Sequence, residues 1–447
     1  MRLTPVGEIS SGAGPVVGPD GTVYIGNLYG QVLAFHPNGA PYWGRQLPAG
    51  QWVTGSPVVG ADGSVYVVAE TRFLIQGTTS EYRYESTLHK FTSSGGWLSQ
   101  APFPRRWGGT RYSSRGDANA HPNIWRFNGS EAIIVPAVYG IPAYTSLRLI
   151  AFSTSGAVLG DSLVWTPTAG TVTGGGSWGD FLDDLLNLLP SLGFRAHSTN
   201  GCTDFSICLP DDTGWPLPGV AVWQKGKGDT PTVMVSNGLQ DTVGYAFDPA
   251  HGFTELFRVR DAKRSLASAP TVLPDGHTVV AATDNNGKSL TGRLTFAGPN
   301  FTPWADTIRY DGAVAAAPTR LADGRLIAIE RPGGLMEFHG NTLAAQIELA
   351  GESIASAAAS CNYVYVASAG AFTTFNAKTL AQVATVPWFG GGRSSPAIGP
   401  SGHVYAVASN TMFVFPPPPR PALSFVGTTC DTSTSGNFGV GGLLVGH

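Results

Sequence analysis

Short apolar stretches that alternate with small or polar residues recur along the chain, each broken by a tight-turn signal. Residues 14–35 read GPVVGPDGTVYIGNLYGQVLAF, and SPVVGADGSVYVVAE, starting at Ser56, leads on to LHKF at 88–91. The unit is a small residue, Pro, a short apolar strand, an Asp-Gly turn, a Val-Tyr-Val strand, a variable loop and a strand ending in Phe. It returns as APTVLPDGHTVVAAT from Ala269, APTRLADGRLIAIE from Ala317 and SPAIGPSGHVYAVAS from Ser395, followed by GRLTF, LMEF and MFVF. Weaker copies begin at His121, Leu217 and Ser356, which brings the motifs to eight. Alternation at period 2 predicts strands, and Asp-Gly supplies the positive φ that a two-residue hairpin turn requires.

The motif proline, or the Ala358 that replaces it, falls at 15, 57, 122, 218, 270, 318, 358 and 396. The shortest intervals are 38, 40 and 42 residues, the length of a four-stranded propeller blade. No unit buries both faces until neighbours stack. The expected fold is all-β, a single closed β-propeller of about eight four-stranded blades. Residues 2–10, RLTPVGEIS, look like the outermost strand LAAQIELAGE at 343–352. That strand is missing after Phe415, where Pro416 to Pro419 cannot donate ladder hydrogen bonds. Residues 2–10 are therefore expected to complete the last blade and close the ring, which removes its open edges. The propeller is expected over residues 1–415, with an insertion at about 161–215 and a Pro/Gly-rich tail over 416–447.

If the motif opens the innermost strand, the Asp-Gly turns lie on one face, the bottom, and most length variation falls on the other. Loops 71–85 (TRFLIQGTTSEYRYE) and 284–291 follow second strands, while 101–120 and 161–215 connect units. The first-to-second turns are short, apart from 126–130 and 225–230. In the longest insertion, Phe181, Leu182, Leu185, Leu186, Leu188 and Leu189 follow helical spacing behind a capping Asp180. A short helix on the top face is expected, packed on the propeller or serving as a lid or docking helix.

The 59 Gly and 33 Pro beside 42% hydrophobic residues fit many short strands joined by tight turns. A net charge of -3 gives no basic field for a phosphate backbone, so nucleic acid is not an expected partner. No apolar run is long enough to span a bilayer, and MRLTPVGEIS has neither a basic nor an apolar leader region. Membrane insertion is not expected, and a monomer is. Cys202 and Cys208 have the spacing of a loop disulfide, and Cys361 and Cys430 would tie the tail to the seventh unit. This even cysteine usage favours an extracytoplasmic setting, periplasmic or secreted.

Over residues 14–415, apart from the insertion, the repeats resemble those of the pyrroloquinoline-quinone-type (PQQ-like) propeller family. The resemblance implies a fold rather than an activity. Quinoprotein dehydrogenases of that family use a vicinal Cys-Cys disulfide and a Glu/Asn/Asp calcium site, and some append CxxCH. This chain has no adjacent cysteines and no CxxCH. It is more similar to the cofactor-free relatives that act as scaffolds in outer-membrane assembly, although their lipobox cysteine is absent. No cofactor, neither PQQ nor calcium, is expected.

No GxSxG elbow, Walker loop, HExxH or complete EF-hand loop is present, and DNNG at 284–287 reads as a turn. No metal site is expected. Where first strands begin, the sequence places Trp52, Arg115, Asp117, His121, Arg264, Glu352 and Arg393. The run RYSSRGDANAH at 111–121 suits an acidic or sugar ligand or acid/base chemistry, or an internal salt-bridge network that organises the loop. With Trp107 and Tyr112 on the same face, the leading expectation is a non-catalytic binding or scaffold propeller that holds a protein or carbohydrate. The alternative is a hydrolase or lyase with Arg115, Asp117 and His121 at the channel mouth.

Overall fold

The computed structural model describes residues 1–9, 13–74, 82–105, 122–141, 144–165, 220–224, 228–236, 241–260, 265–267, 270–273, 278–285, 290–297, 303–311, 316–340, 342–417 and 444–445. The expected helix near 181–189 lies outside them.

Among the described residues every regular element is a strand, and the strands form eight sheets of four or five. In chain order the sheets occupy residues 16–46, 51–102, 123–165, 220–260, 265–311, 319–348, 358–387 and 397–415. Within each sheet consecutive strands pair antiparallel, from an inner strand that carries the motif to an outer one. The outer position of the eighth sheet is filled from the other end of the chain: Arg2–Pro5 pairs antiparallel with Thr411–Phe415, Arg2 opposite Val414.

Strand periodicity explains how the sheets stack. Val23 and Ile25 enter an apolar cluster shared with Tyr405 and Val407 of the eighth sheet, while Tyr24 between them enters one shared with Val53 and Val65 of the second. Successive side chains on a strand point to opposite faces, so each middle strand serves two interfaces. Leu326 and Ala328 likewise meet Val279 of the fifth sheet, and Ile327 and Ile329 meet Val364 of the seventh. One such cluster lies between every pair of sheets adjacent in sequence, and one between the eighth and first. Strands buried on both faces read as continuous apolar runs, LIAIE at Leu326–Glu330 and VYAVA at Val404–Ala408, whereas the outer strand QVATVP at Gln382–Pro387 is almost wholly exposed.

Small residues at the motif let inner strands approach closely and bond sideways. Gly14 N–H donates to Ser56 Oγ at 2.9 Å, Thr319 Oγ1 to Ala357 O at 2.7 Å, and Ser356 N–H to Ser395 Oγ at 3.0 Å. Thr271 Oγ1 donates to Pro318 O at 2.8 Å. A Cβ on Gly14 would meet Ser395 O at 2.7 Å, so no other residue fits there unchanged. These links join positions within two residues of the motif proline, or of the Ala358 that replaces it, in neighbouring sheets, so the inner strands run side by side in one sense.

The turns differ from the two-residue hairpins expected at Asp-Gly. Gly21 N–H bonds to Gly18 O at 2.9 Å and Gly18 N–H to Thr22 O at 2.8 Å, which makes Pro19, Asp20 and Gly21 a three-residue loop. Only the glycine has positive φ, 83°, while Asp20 Oδ1 accepts from Thr22 N–H at 3.0 Å. Aspartate thus fixes the turn with its side chain rather than with its backbone. The second sheet repeats this at Asp62 and the sixth at Asp323. The turn expected to be long, at 126–130, is the true two-residue case: Phe127 pairs with Ser130 across Asn128 and Gly129, at φ 49° and 77°.

Candidate functional site

The face opposite these turns carries the departures from the repeat. In the eighth sheet the second strand has 5 residues, but Val65–Leu74 has 10 and Ser130–Ile141 has 12. At about 3.3 Å per residue the extra five and seven residues are roughly 17–23 Å of added strand. Residues 71–85 are therefore only in part a loop, since Arg72, Phe73 and Leu74 pair with Tyr84, Arg83 and Tyr82. Residues 284–291 are shortened likewise, with Asn285 opposite Leu290. The outer strand Val158–Trp165 also takes up the first residues of the insertion expected from 161.

Between the second and third sheets, Trp52 stands directly across from Glu70, and Glu70 from Ser86. Glu70 is 1% exposed and Ser86 fully buried. The buried Trp52 indole N–H has no acceptor among the described residues, at a cost of about 1–3 kcal/mol for an unpaired donor. Arg105 closes the rim on Glu85 at 2.9 Å. On the opposite side of the second sheet His89, fully buried, is 2.8 Å from Gln51 Oε1 through Nε2, and burial pushes its imidazole down to about 4.

A second constellation lies on the same face at the sixth to eighth sheets. Arg331 follows Leu326–Glu330, Glu352 lies between the sixth and seventh sheets, and Arg393 between the seventh and eighth. Backbone bonds lock these loops: Ser353 N–H to Arg331 O at 3.0 Å, Ala369 N–H to Glu352 O at 2.8 Å, and Ile354 N–H to Gly392 O at 2.8 Å. Arg331 Nε is 3.9 Å from Glu352 Oε2, with the arginine side chain 12% exposed and the carboxylate 63%. Burial pushes the Arg331 guanidinium below its ordinary value; Glu352 pulls it back up and the charge of Arg393 pushes it down. Arg331, Arg393 and the exposed Glu352 carboxylate share this rim.

Arg325, at the turn end of the same strand, is the reverse. It bonds to Asp323 Oδ2 at 2.8 Å, to Glu337 Oε1 and to Ala377 O of the next sheet, and His339 Nε2 lies 3.0 Å from Glu337. The bond to Asp323 raises its guanidinium, and the one to Glu337 adds to this against burial. One guanidinium here meets two carboxylates, and the cluster staples the sixth sheet to the seventh.

Of the residues singled out from sequence, Glu352 and Arg393 come together, and Trp52 sits apart in the second sheet. Trp107, Tyr112, Arg115, Asp117, His121, Arg264, Cys202, Cys208 and Cys430 lie outside the described residues. Cys361, in the inner turn of the seventh sheet, is disulfide-bonded. Arg331 was not among the residues expected from sequence, since it follows a second strand rather than preceding a first one; the loop position after Glu330 was the available signal.

No family model and no curated protein sequence matches the chain. Among solved structures it is similar to the C-terminal WD40 domain of Sif2, at 11% identity over 93% of this chain and 99% of that one, TM-score 0.54. It is also similar to BBS1N in complex with ARL6DN, at 8% identity, 94% and 97% coverage and TM-score 0.46. A third is BamB from Moraxella catarrhalis, at 14% identity, 92% and 83% coverage and TM-score 0.36. The likeness to the Sif2 domain, which spans both chains almost completely, shows the fold: a β-propeller.

Proposed function

We propose that residues 1–415 form one closed propeller of eight blades, of the cofactor-free PQQ-like kind, acting as a non-catalytic binding scaffold. Its loop face holds a protein or glycan through a carboxylate or other acidic group placed between Arg331 and Arg393. The observation that carries this reading is the meeting of Arg331, Glu352 and Arg393 on loops of three sheets, with Arg331 Nε 3.9 Å from the exposed Glu352 carboxylate and within reach of the Arg393 charge. A bidentate acidic group fits the fork geometry of arginine. The proposal extends to Cys430 as the partner of Cys361 and to an extracytoplasmic monomer.

Two experiments test it. Uronate-containing glycan arrays and acidic-peptide arrays are probed with the parent protein and with the Arg331→Gln, Arg393→Gln double variant. The expected result is a set of acidic hits that the variant loses by at least tenfold. Hits indifferent to both arginines remove the site. Ring closure is tested by deleting residues 1–9, which strips the eighth sheet of its outer strand and the cluster around Val6. Thermal unfolding is expected at a temperature lower by roughly 10 °C or more, and an unchanged transition contradicts closure.

A further inference from the structure

The fourth sheet has a fifth strand. Leu444–Val445 pairs parallel with the inner strand Val220–Gln224, Leu444 opposite Trp223 and Val445 opposite Gln224. In the other seven sheets the inner position is the last on its side. The inner strand is also one of the longer ones: Val220–Gln224 and Asn123–Phe127 of the third sheet have 5 residues each, whereas those of the first, sixth, seventh and eighth sheets have 2. An edge of that length offers a row of backbone donors and acceptors to an added strand.

We infer that this edge is a strand-addition site whose resident occupant is the chain's own carboxy-terminal segment, held reversibly. The segment suits the role by sequence, since GVGGLLVGH at 439–447 brackets three aliphatic residues with glycines. Glycine brings a backbone close to its neighbour without steric cost, and Leu-Val supplies the β-compatible body. The direction of the chain agrees. Thr411–Phe415 ends at Phe415 opposite Val404, beside the inner turn of the eighth sheet. Trp223 and Gln224 are likewise the turn end of their strand, opposite Thr232. Phe415 and the pair Leu444–Val445 therefore both lie at the turn face.

Two paired residues contribute few hydrogen bonds, each worth about 0.5–1.5 kcal/mol net. Such a contact holds because the tether keeps the segment at an effective concentration on the order of millimolar. It also yields to a longer extended peptide of the same Gly-flanked aliphatic kind, so the tail is a built-in competitor for the edge.

The test uses the parent protein and a chain ending at Asn437, with a fluorescein-labelled peptide of residues 439–447 as probe and a scrambled peptide as control. The truncated chain is expected to bind the probe, the parent at least tenfold more weakly, and neither to bind the scrambled sequence. Amide exchange at Trp223 and Gln224 is expected to speed up at least tenfold on truncation and to slow again when the probe is added. Binding by the parent as tight as by the truncated chain, equal binding of the scrambled peptide, or exchange at these amides unaffected by truncation would each overturn the inference.

Discussion

One strand of the sixth sheet, Leu326–Glu330, is flanked by two arginines whose side chains are equally exposed, at 12%. At the turn end, Arg325 is enclosed by Asp323, Glu337 and a carbonyl of the next sheet. At the loop end, Arg331 faces a half-open rim with Glu352 at 3.9 Å and a second arginine close by. Exposure is the same and the surroundings are not, which sets the staple apart from the proposed binding group. The contrast extends to the two faces: turns fixed by aspartate side chains on one, long hairpins on the other.

The largest expected effect that sharpens this contrast comes from truncating the two arginines separately. Arg325→Ala leaves the Glu337 carboxylate, 11% exposed, without its main counter-charge, a loss of about 3 kcal/mol. Arg331→Ala should cost less than Arg325→Ala in chemical denaturation, since Glu352 is exposed where Glu337 is buried. Equal losses would erase the distinction between staple and binding group.

Acid titration separates the staple from the rest of the molecule. His89 accepts a proton near 6.5 when unfolded but only near 4 when folded. Its contribution is complete above the unfolded value and is lost as pH falls toward 4, by up to about 3 kcal/mol. Burial would raise the Glu337 carboxyl, but hydrogen bonds from Arg325 and His339 outweigh it and hold it below the usual range. Its contribution is present above the unfolded value and is lost only as pH falls through the lower folded one. His89→Gln should therefore flatten the stability profile between pH 6.5 and 4 and leave the more acidic arm intact. A profile unchanged by the substitution counts against the buried neutral imidazole.

The smallest effect is expected on the turn face. Asp62→Asn keeps an oxygen for Ser64 N–H, now at 2.8 Å, so stability should change by less than about 1 kcal/mol. Binding of any array hit should not change. A loss of binding here would exchange the roles assigned to the two faces.

The repeat was legible because its information is local. The apolar run at Val404–Ala408, small residues beside the motif proline and the missing strand after Phe415 all follow from backbone and packing rules that need no partner. Turn type was harder, since Asp20 and Asn128 both precede glycine, yet only Asn128 takes positive φ. The two geometries differ by one residue in the loop, which the dipeptide does not specify. The site was partly legible: Glu352 and Arg393 were found at the starts of inner strands. Arg331 owes its character to loops from three sheets that meet only after stacking, and that meeting is not encoded in any one segment.

Amide-exchange mapping with the strongest acidic array hit at saturation tests the central claim most directly. The account predicts protection confined to residues 331–334, 352–354 and 390–394, with no change at 60–64 or 323–325. Protection on the turn residues, with none around Arg331 and Arg393, would contradict it.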